Sequence, residues 1–205
     1  PYIHAGLVRL DGIDPKGGVE FGMGRPLFAT LSGQGPTRDA DMLATLIRVQ
    51  AIMFDRQERM LQAGVRKHVP TVAEPWIILP VDEYLTLTAT IANPKIRKEV
   101  AQTMLSIITQ GRATAITVVA AMQLAQKELV GSIRDMFPLQ FCLKTTDPTQ
   151  TLMALGSDAI ERGAVPHLLP TKGQQGVAWF RDGGDDPIKL RLAEWTDGQV
   201  AELAA

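Results

Sequence analysis

The run Trp76–Val81 constrains this chain more than any other stretch. It reads WIILPV, five large apolar residues around Pro80, and Asp82 and Glu83 follow at once. An apolar run of that length, preceded by Pro75 and closed by two acids, predicts a buried central strand of a parallel sheet. Such strands are covered on both faces and lose the in–out alternation of a half-exposed strand. The acids then fall at the carboxyl end of the strand, where open α/β sheets bind their ligands. The plainer reading has Asp82 capping the next element and Glu83 solvated. Pro80 works against a central strand, because it removes a ladder hydrogen bond.

The flanking sequence alternates strands with helices. Residues Gly6–Ile13 predict a first strand, and Asp14-Pro15-Lys16-Gly17-Gly18 a turn at its carboxyl end. The Gly- and Pro-rich stretch up to Pro36 leaves room for one short strand near Leu27–Leu31. Thr37 is placed to cap a long helix, with Asp39 and Asp41 in its first turn and Gly64 as its stop. Leu43, Leu46, Ile47, Met53, Phe54 and Leu61 recur at helical spacing as its apolar stripe. Arg48, Asp55, Arg56, Glu58 and Arg59 fall mostly off that stripe and read as a solvated face. After the Trp76 strand come a polar segment, Thr86–Arg97, and a helix through Val100 and Ile108 to Gly111. A strand at Ala115–Met122 is closed by Gln123. Then follow a helix over Gln126–Met136, a fourth strand at Leu139–Leu143, and a short helix opened by Asp147-Pro148. A second short helix is expected at Asp158–Arg162. A hairpin or pair of edge strands follows at Val177–Phe180 and Ile188–Trp195, and a last helix, capped by Thr196, covers Gln199–Leu203. This pattern predicts a mainly parallel α/β sheet covered on both faces, in one domain over residues 1–205.

Composition removes several function classes. The chain has 205 residues and a net charge of −1, so no global basic field draws it to nucleic acid or membrane. Any nucleic-acid contact must come from a local patch. Cys142 is the single cysteine, which rules out an internal disulfide and a cysteine zinc cluster; it sits in an apolar run and reads as core. His4, His68 and His167 have no metal-ligand spacing. No Ser-His-Asp or Cys-His arrangement is visible. No apolar run approaches the roughly 18 residues of a membrane span, and no segment reads as a signal peptide.

In order and spacing, several segments resemble the motor domain of the FtsK/SpoIIIE family of DNA-pumping ATPases. IDPKGG at Ile13–Gly18 resembles the family's strand-ending IDPK. RKHVPT at Arg66–Thr71 stands in the spacer before the family's Walker B strand, and WIILPVDEY at Trp76–Tyr84 in Walker B itself. GRATAITVVAAMQLA at Gly111–Ala125 resembles its arginine, strand and glutamine. Residues Leu129–Gly163, then GVAWF at Gly176–Phe180 and TDGQV at Thr196–Val200, resemble the segments that close the domain. The match covers nearly the whole chain and leans toward the conjugative-transfer branch, the TraB/TraSA-like proteins. There are two departures. Pro80 replaces an aliphatic residue, and the phosphate-binding loop GxxxxGK[ST] is absent. In the family that loop precedes IDPK, so the expectation is a P-loop NTPase (RecA-like) core truncated at its amino end. The chain begins at Pro1 without an initiator Met, which fits a piece of a longer protein.

The resemblance implies a set of roles. ATP and Mg2+ would bind at Asp82, which would accept a hydrogen bond from a magnesium-bound water, and Glu83 would polarise the attacking water. Gln123 would sense the γ-phosphate, or else tie down a loop. Arg112 would reach a neighbouring subunit's nucleotide, or else pair with a helix end. Lys16 would face a phosphate from the neighbour. Lys95, Arg97 and Lys98 would follow a DNA backbone, or else be merely solvated. The parent protein would be an ATP-driven translocase, a hexameric ring around double-stranded DNA. It would lie in the bacterial cytoplasm, at the cytoplasmic face of the inner membrane, and this fragment alone would be inactive. The alternatives are a non-catalytic degenerate module for ring assembly or partner docking, and a related EccC-like protein-secretion ATPase.

Overall fold

The computed structural model of the chain describes residues 1–123 and 134–205. It divides into two compact units, Pro1–Met122 with Asp197–Ala205, and Gln123–Thr196.

The first unit is built on a four-stranded parallel sheet, β1 (Val8–Ile13), β2 (Phe28–Ser32), β3 (Trp76–Val81) and β4 (Ile116–Ala120), in the order β2-β1-β3-β4. The Trp76 run is thus a central strand, as its composition predicts. Pro80 is accommodated within it. Backbone N–H groups of β3 alternate sides, with Trp76 and Asp82 donating toward β1 and Ile77 toward β4. The N–H that Pro80 lacks therefore belongs to the β1 side. There the pairing lapses between Leu10–Ile78 and Ile13–Val81 but resumes in the same register, while pairing to β4 runs unbroken from Ile77 to Val81.

Helix α1 (Arg38–Ala63) and helix α3 (Pro94–Gln110) pack on each other and on the sheet. Ile77, Leu79 and Val81 of β3 are buried with Met42, Leu46, Val49 and Met53 of α1 and Val100, Met104 and Ile107 of α3. The opposite face of β3 carries Trp76, half exposed, and the half-buried Ile78 and Pro80. Gly64 ends α1 in the left-handed conformation at φ 66°. Thr37 makes no capping bond; its hydroxyl donates to Asp41 Oδ2 at 2.6 Å instead.

The buried stripe of α1 differs from the expected one. It runs Met42, Leu46, Val49, Met53 and Arg56, whereas Ile47, Phe54 and Leu61 are exposed. Arg56 is only 3% exposed. It donates to the carbonyls of Thr114 at 2.8 Å and Pro75 at 2.7 Å, just before β4 and β3. Arg48 also leaves the solvated face. It donates to Asp11 Oδ1 at 3.0 Å and Thr30 Oγ1 at 2.6 Å, and Arg9 Nε lies 2.9 Å from Asp11 Oδ2. Asp11 is fully buried on β1, so its charge needs these cations.

The polar segment after β3 is helical for one and a half turns, as α2 (Tyr84–Ala89), because Tyr84 and Leu87 are buried. Asn93 then caps α3, accepting from Lys95 N at 2.9 Å, with Pro94 in the favoured first position.

The second unit holds a three-stranded antiparallel sheet of β5 (Leu139–Cys142), β6 (Val177–Asp182) and β7 (Ile188–Arg191). The expected hairpin is present, but Leu139–Cys142 pairs antiparallel with β6 rather than extending the parallel sheet. Helix α4 (Pro148–Leu155) is capped by Asp147, which accepts from Gln150 N at 3.1 Å. Leu155, Ala159, Ala164, Leu169, Val177 and Trp179 enclose Cys142. Burial pushes the Cys142 thiol up to about 11, so it is core and not a nucleophile. Residues Asp158–Arg162 form turns rather than a helix. Of the helix expected at Gln126–Met136, residues 126–133 lie outside the described residues, and Arg134–Met136 is a single 3-10 turn. The closing helix α5 (Asp197–Ala204) belongs to the first unit and packs on the 3-10 segment Gly22–Leu27.

Candidate functional site

Parallel neighbours bring their carboxyl ends to one edge of a sheet. Ile13 and Val81 end β1 and β3 side by side, and Asp82 N donates to Ile13 O at 3.0 Å. The turn after β1 therefore faces the acids after β3.

Asp14 shapes that turn. Its carboxylate is fully buried and accepts from Lys16 N at 3.0 Å, Glu20 N at 3.0 Å and Phe21 N at 3.3 Å. Its own N–H donates to Ser32 O, which ties the turn to β2. Gly33, at φ 116°, crosses so close that a Cβ there would lie 2.1 Å from Asp14 O. The result aims Lys16 at the acids, with Nζ 3.3 Å from Asp82 Oδ2 and 3.9 Å from Glu83 Oε2. Burial pulls the Lys16 pKa down. Its contact with the accepting Asp82 carboxylate and the charges of Asp82, Glu83 and Glu20 outweigh that and leave it above its ordinary value. Glu83 is buried and left-handed, at φ 52° and ψ 70°. A non-glycine residue held there is strained, and such strain gathers at functional sites. The bond from Tyr84 N to Ala121 O, past the end of β4, helps to hold it.

The structure thus unites three of the residues singled out in the sequence, Lys16, Asp82 and Glu83, and adds Asp14 as the residue that positions Lys16. Asp14 was visible only as part of the turn cluster, since nothing local indicates its burial. Lys16 stands against the acids of its own chain. Arg112 lies exposed in the 3-10 turn Gly111–Thr114, before β4, at the amino edge of the sheet. That is about a strand length, on the order of 15–20 Å, from the acids. Gln123 is exposed three residues beyond β4 and is the first residue of the second unit. Lys95, Arg97 and Lys98 are exposed in the first turns of α3, where Arg97 Nη1 donates to Ile91 O at 3.2 Å. Three cations at a helix amino end oppose its dipole. A cavity of about 490 Å³ beside them is lined by residues 35–40 and Ile96. Arg38 in that lining donates to Pro15 O at 3.5 Å, beside the Lys16 turn.

Among the described residues no group of three His, Cys, Asp or Glu could cage a metal. The pair Asp82–Glu83 fits a different kind of cation, one that keeps its waters and borrows phosphate oxygens, as Mg2+ does. Both side chains are mostly buried, at 18% and 10% exposure, and already attract a cation. Among the described residues no helix is long and apolar enough to cross a membrane.

No protein-family model and no curated protein matches the sequence. Solved structures do. The chain matches the pCW3 conjugation coupling protein TcpA, in its monomer form with ATPγS, with TM-score 0.74 and 16% identity over 97% of this chain and 57% of that one. It matches EssC (ATPases 2 and 3) from Geobacillus thermodenitrificans with TM-score 0.70 and 11% identity, over 97% and 36%. The cytoplasmic domain of the type VII secretion ATPase EccC from Thermomonospora curvata gives TM-score 0.64 and 16% identity, over 97% and 24%. The chain therefore spans little more than half of TcpA, just over a third of EssC and about a quarter of EccC. Its fold, mainly parallel α/β with an acid pair ending a central strand, is shared with these structures, as the FtsK/SpoIIIE resemblance implies.

Proposed function

We propose that the chain is the nucleotide-hydrolysing part of an FtsK/SpoIIIE-type motor whose whole protein pumps double-stranded DNA, with both units belonging to one motor domain. The observation that carries this reading is the partly buried pair Asp82–Glu83 at the carboxyl edge of the parallel sheet, with a lysine drawn to it. Support comes from the shared fold with a conjugation coupling protein solved with an ATP analogue.

Asp82 would hold a magnesium-bound water, and Mg2+, when bound with ATP, would neutralise the phosphate charge. Glu83, fixed by its backbone, would take the proton of the attacking water. Gln123 would orient that water or read the γ-phosphate. Arg112 lies too far from its own acids for a role at them, so it would serve a neighbouring subunit's nucleotide in a hexameric ring. Lys95, Arg97 and Lys98 would contact DNA phosphates, which carry no sequence information and suit a pump. The matches to EccC and EssC favour a second reading, a motor that moves protein instead.

Residues 1–205 contain no GxxxxGK[ST] loop, so by themselves they are expected to turn over no ATP. The test is ATP turnover by a form extended upstream of Pro1 to carry such a loop, with and without double-stranded DNA, beside Glu83→Gln. The expected result is turnover stimulated by DNA, less so as salt rises, and reduced about a hundredfold or more in Glu83→Gln. Turnover indifferent to DNA moves the reading to protein secretion. No turnover from the folded extended form makes the chain a non-catalytic module, with the acids structural.

A further inference from the structure

We propose that Lys16 is a resident counter-ion of the acid pair, and that a divalent cation enters only by displacing it. This rests on reading Asp82 and Glu83 as the cation site. Two neighbouring carboxylates so little exposed to water call for positive charge beside them, and the ammonium of Lys16 supplies it at 3.3 and 3.9 Å. Its backbone is fixed, because Asp14 accepts from three N–H groups of the turn, those of Lys16, Glu20 and Phe21. Its side chain is not, being 30% exposed on a flexible stem. The lysine can therefore leave the acids while the turn stays in place. A divalent ion arriving beside a retained ammonium would put three positive charges against two negative ones. Exchange avoids that, and the released lysine becomes available to a phosphate. The contact thus keeps the acids quiet in the nucleotide-free protein and couples cation entry to the freeing of Lys16.

The experiment is a titration of the 205-residue chain with Mn2+, free ion being read by electron paramagnetic resonance, in the absence of nucleotide. Lys16→Met should bind Mn2+ about tenfold more tightly than the unsubstituted chain. Lys16→Arg, which keeps the charge, should leave the affinity unchanged. Adding Asp82→Asn to Lys16→Met should abolish the gain. Circular dichroism establishes that each variant is folded. If Lys16→Met does not fold, the unsubstituted chain answers alone: Mg2+ should shift the NMR signals of the Lys16 ε-methylene, and no shift at saturation overturns the proposal. Equal Mn2+ affinity in Lys16→Met and the unsubstituted chain, with Asp82→Asn still weakening binding, overturns the exchange but leaves the acid site standing. Binding that ignores Asp82→Asn in every background removes the acid site, and the exchange with it.

Discussion

Gly33 shows how much of the candidate site hangs on a single backbone position. Its φ of 116° is open to glycine and strained for other residues, and the space where a Cβ would go is filled by the carbonyl group of Asp14. Backbone cannot rotate aside as a side chain can, so the turn itself would have to move. Gly33→Ala is expected to cost about 2–4 kcal/mol in urea unfolding, and to carry the Lys16 turn away from Asp82. In the Mn2+ titration it should therefore act in the same direction as Lys16→Met. A Gly33→Ala protein with unaltered stability would mean that the turn is looser than its hydrogen bonds imply. Glu83 is strained in the same sense but cannot be tested so simply, since its side chain is part of the site.

At the scale of elements, Arg56 joins α1 to the two strands that carry the site. The helix delivers a guanidinium to the carbonyls of Pro75 and Thr114, on the segments leading into β3 and β4. Arg56→Met keeps the buried stem and removes the donors, leaving at least two carbonyls unmet at roughly 1–3 kcal/mol each. The expected loss is about 3 kcal/mol, read in thermal or urea unfolding. Lys at that position should rescue little, because one ammonium cannot span both carbonyls as the planar fork does. This residue also marks where sequence reading stops. Residue type alone put Arg56 on the solvated face, although its place in the 42-46-49-53-56 series agrees with burial. Strand β3, the Gly64 stop and the Asp147-Pro148 cap were legible because composition and local chemistry decide them. The pairing of β5 with β6, the helicity of Tyr84–Ala89 and the approach of Lys16 to Asp82 were not, because each depends on residues distant in sequence.

At the scale of the whole molecule, acid should act on the second unit through one ion pair. The first unit rests on a large aliphatic core. The second has a smaller one, centred on Trp179 and Leu155, and adds the ion pair of Arg181 with Asp158. Arg181 is buried and bidentate, with Nη1 2.7 Å from Asp158 Oδ1 and Nη2 2.9 Å from Oδ2. The same guanidinium donates to Leu155 O at 2.5 Å and Asp185 O at 3.0 Å. Gly156 leaves room for it, since a Cβ there would lie 2.8 Å from Arg181 Nη1. The hydrogen bond from Arg181 brings Asp158 down from 3.8 to about 2. A carboxylate depressed on folding contributes stability that is complete above its unfolded value and fades as pH falls toward its folded one. The window is thus pH 4 down to 2. Hydrogen exchange, which follows each unit separately, should find β6 less protected in Asp158→Asn than in the unsubstituted chain at pH 7. That difference should hold to about pH 4 and close toward pH 2, while β3 exchanges alike in both proteins throughout. A difference on β6 that persists unchanged at pH 2 would mean that Asp158 acts through packing or its backbone bonds, and not through its charge.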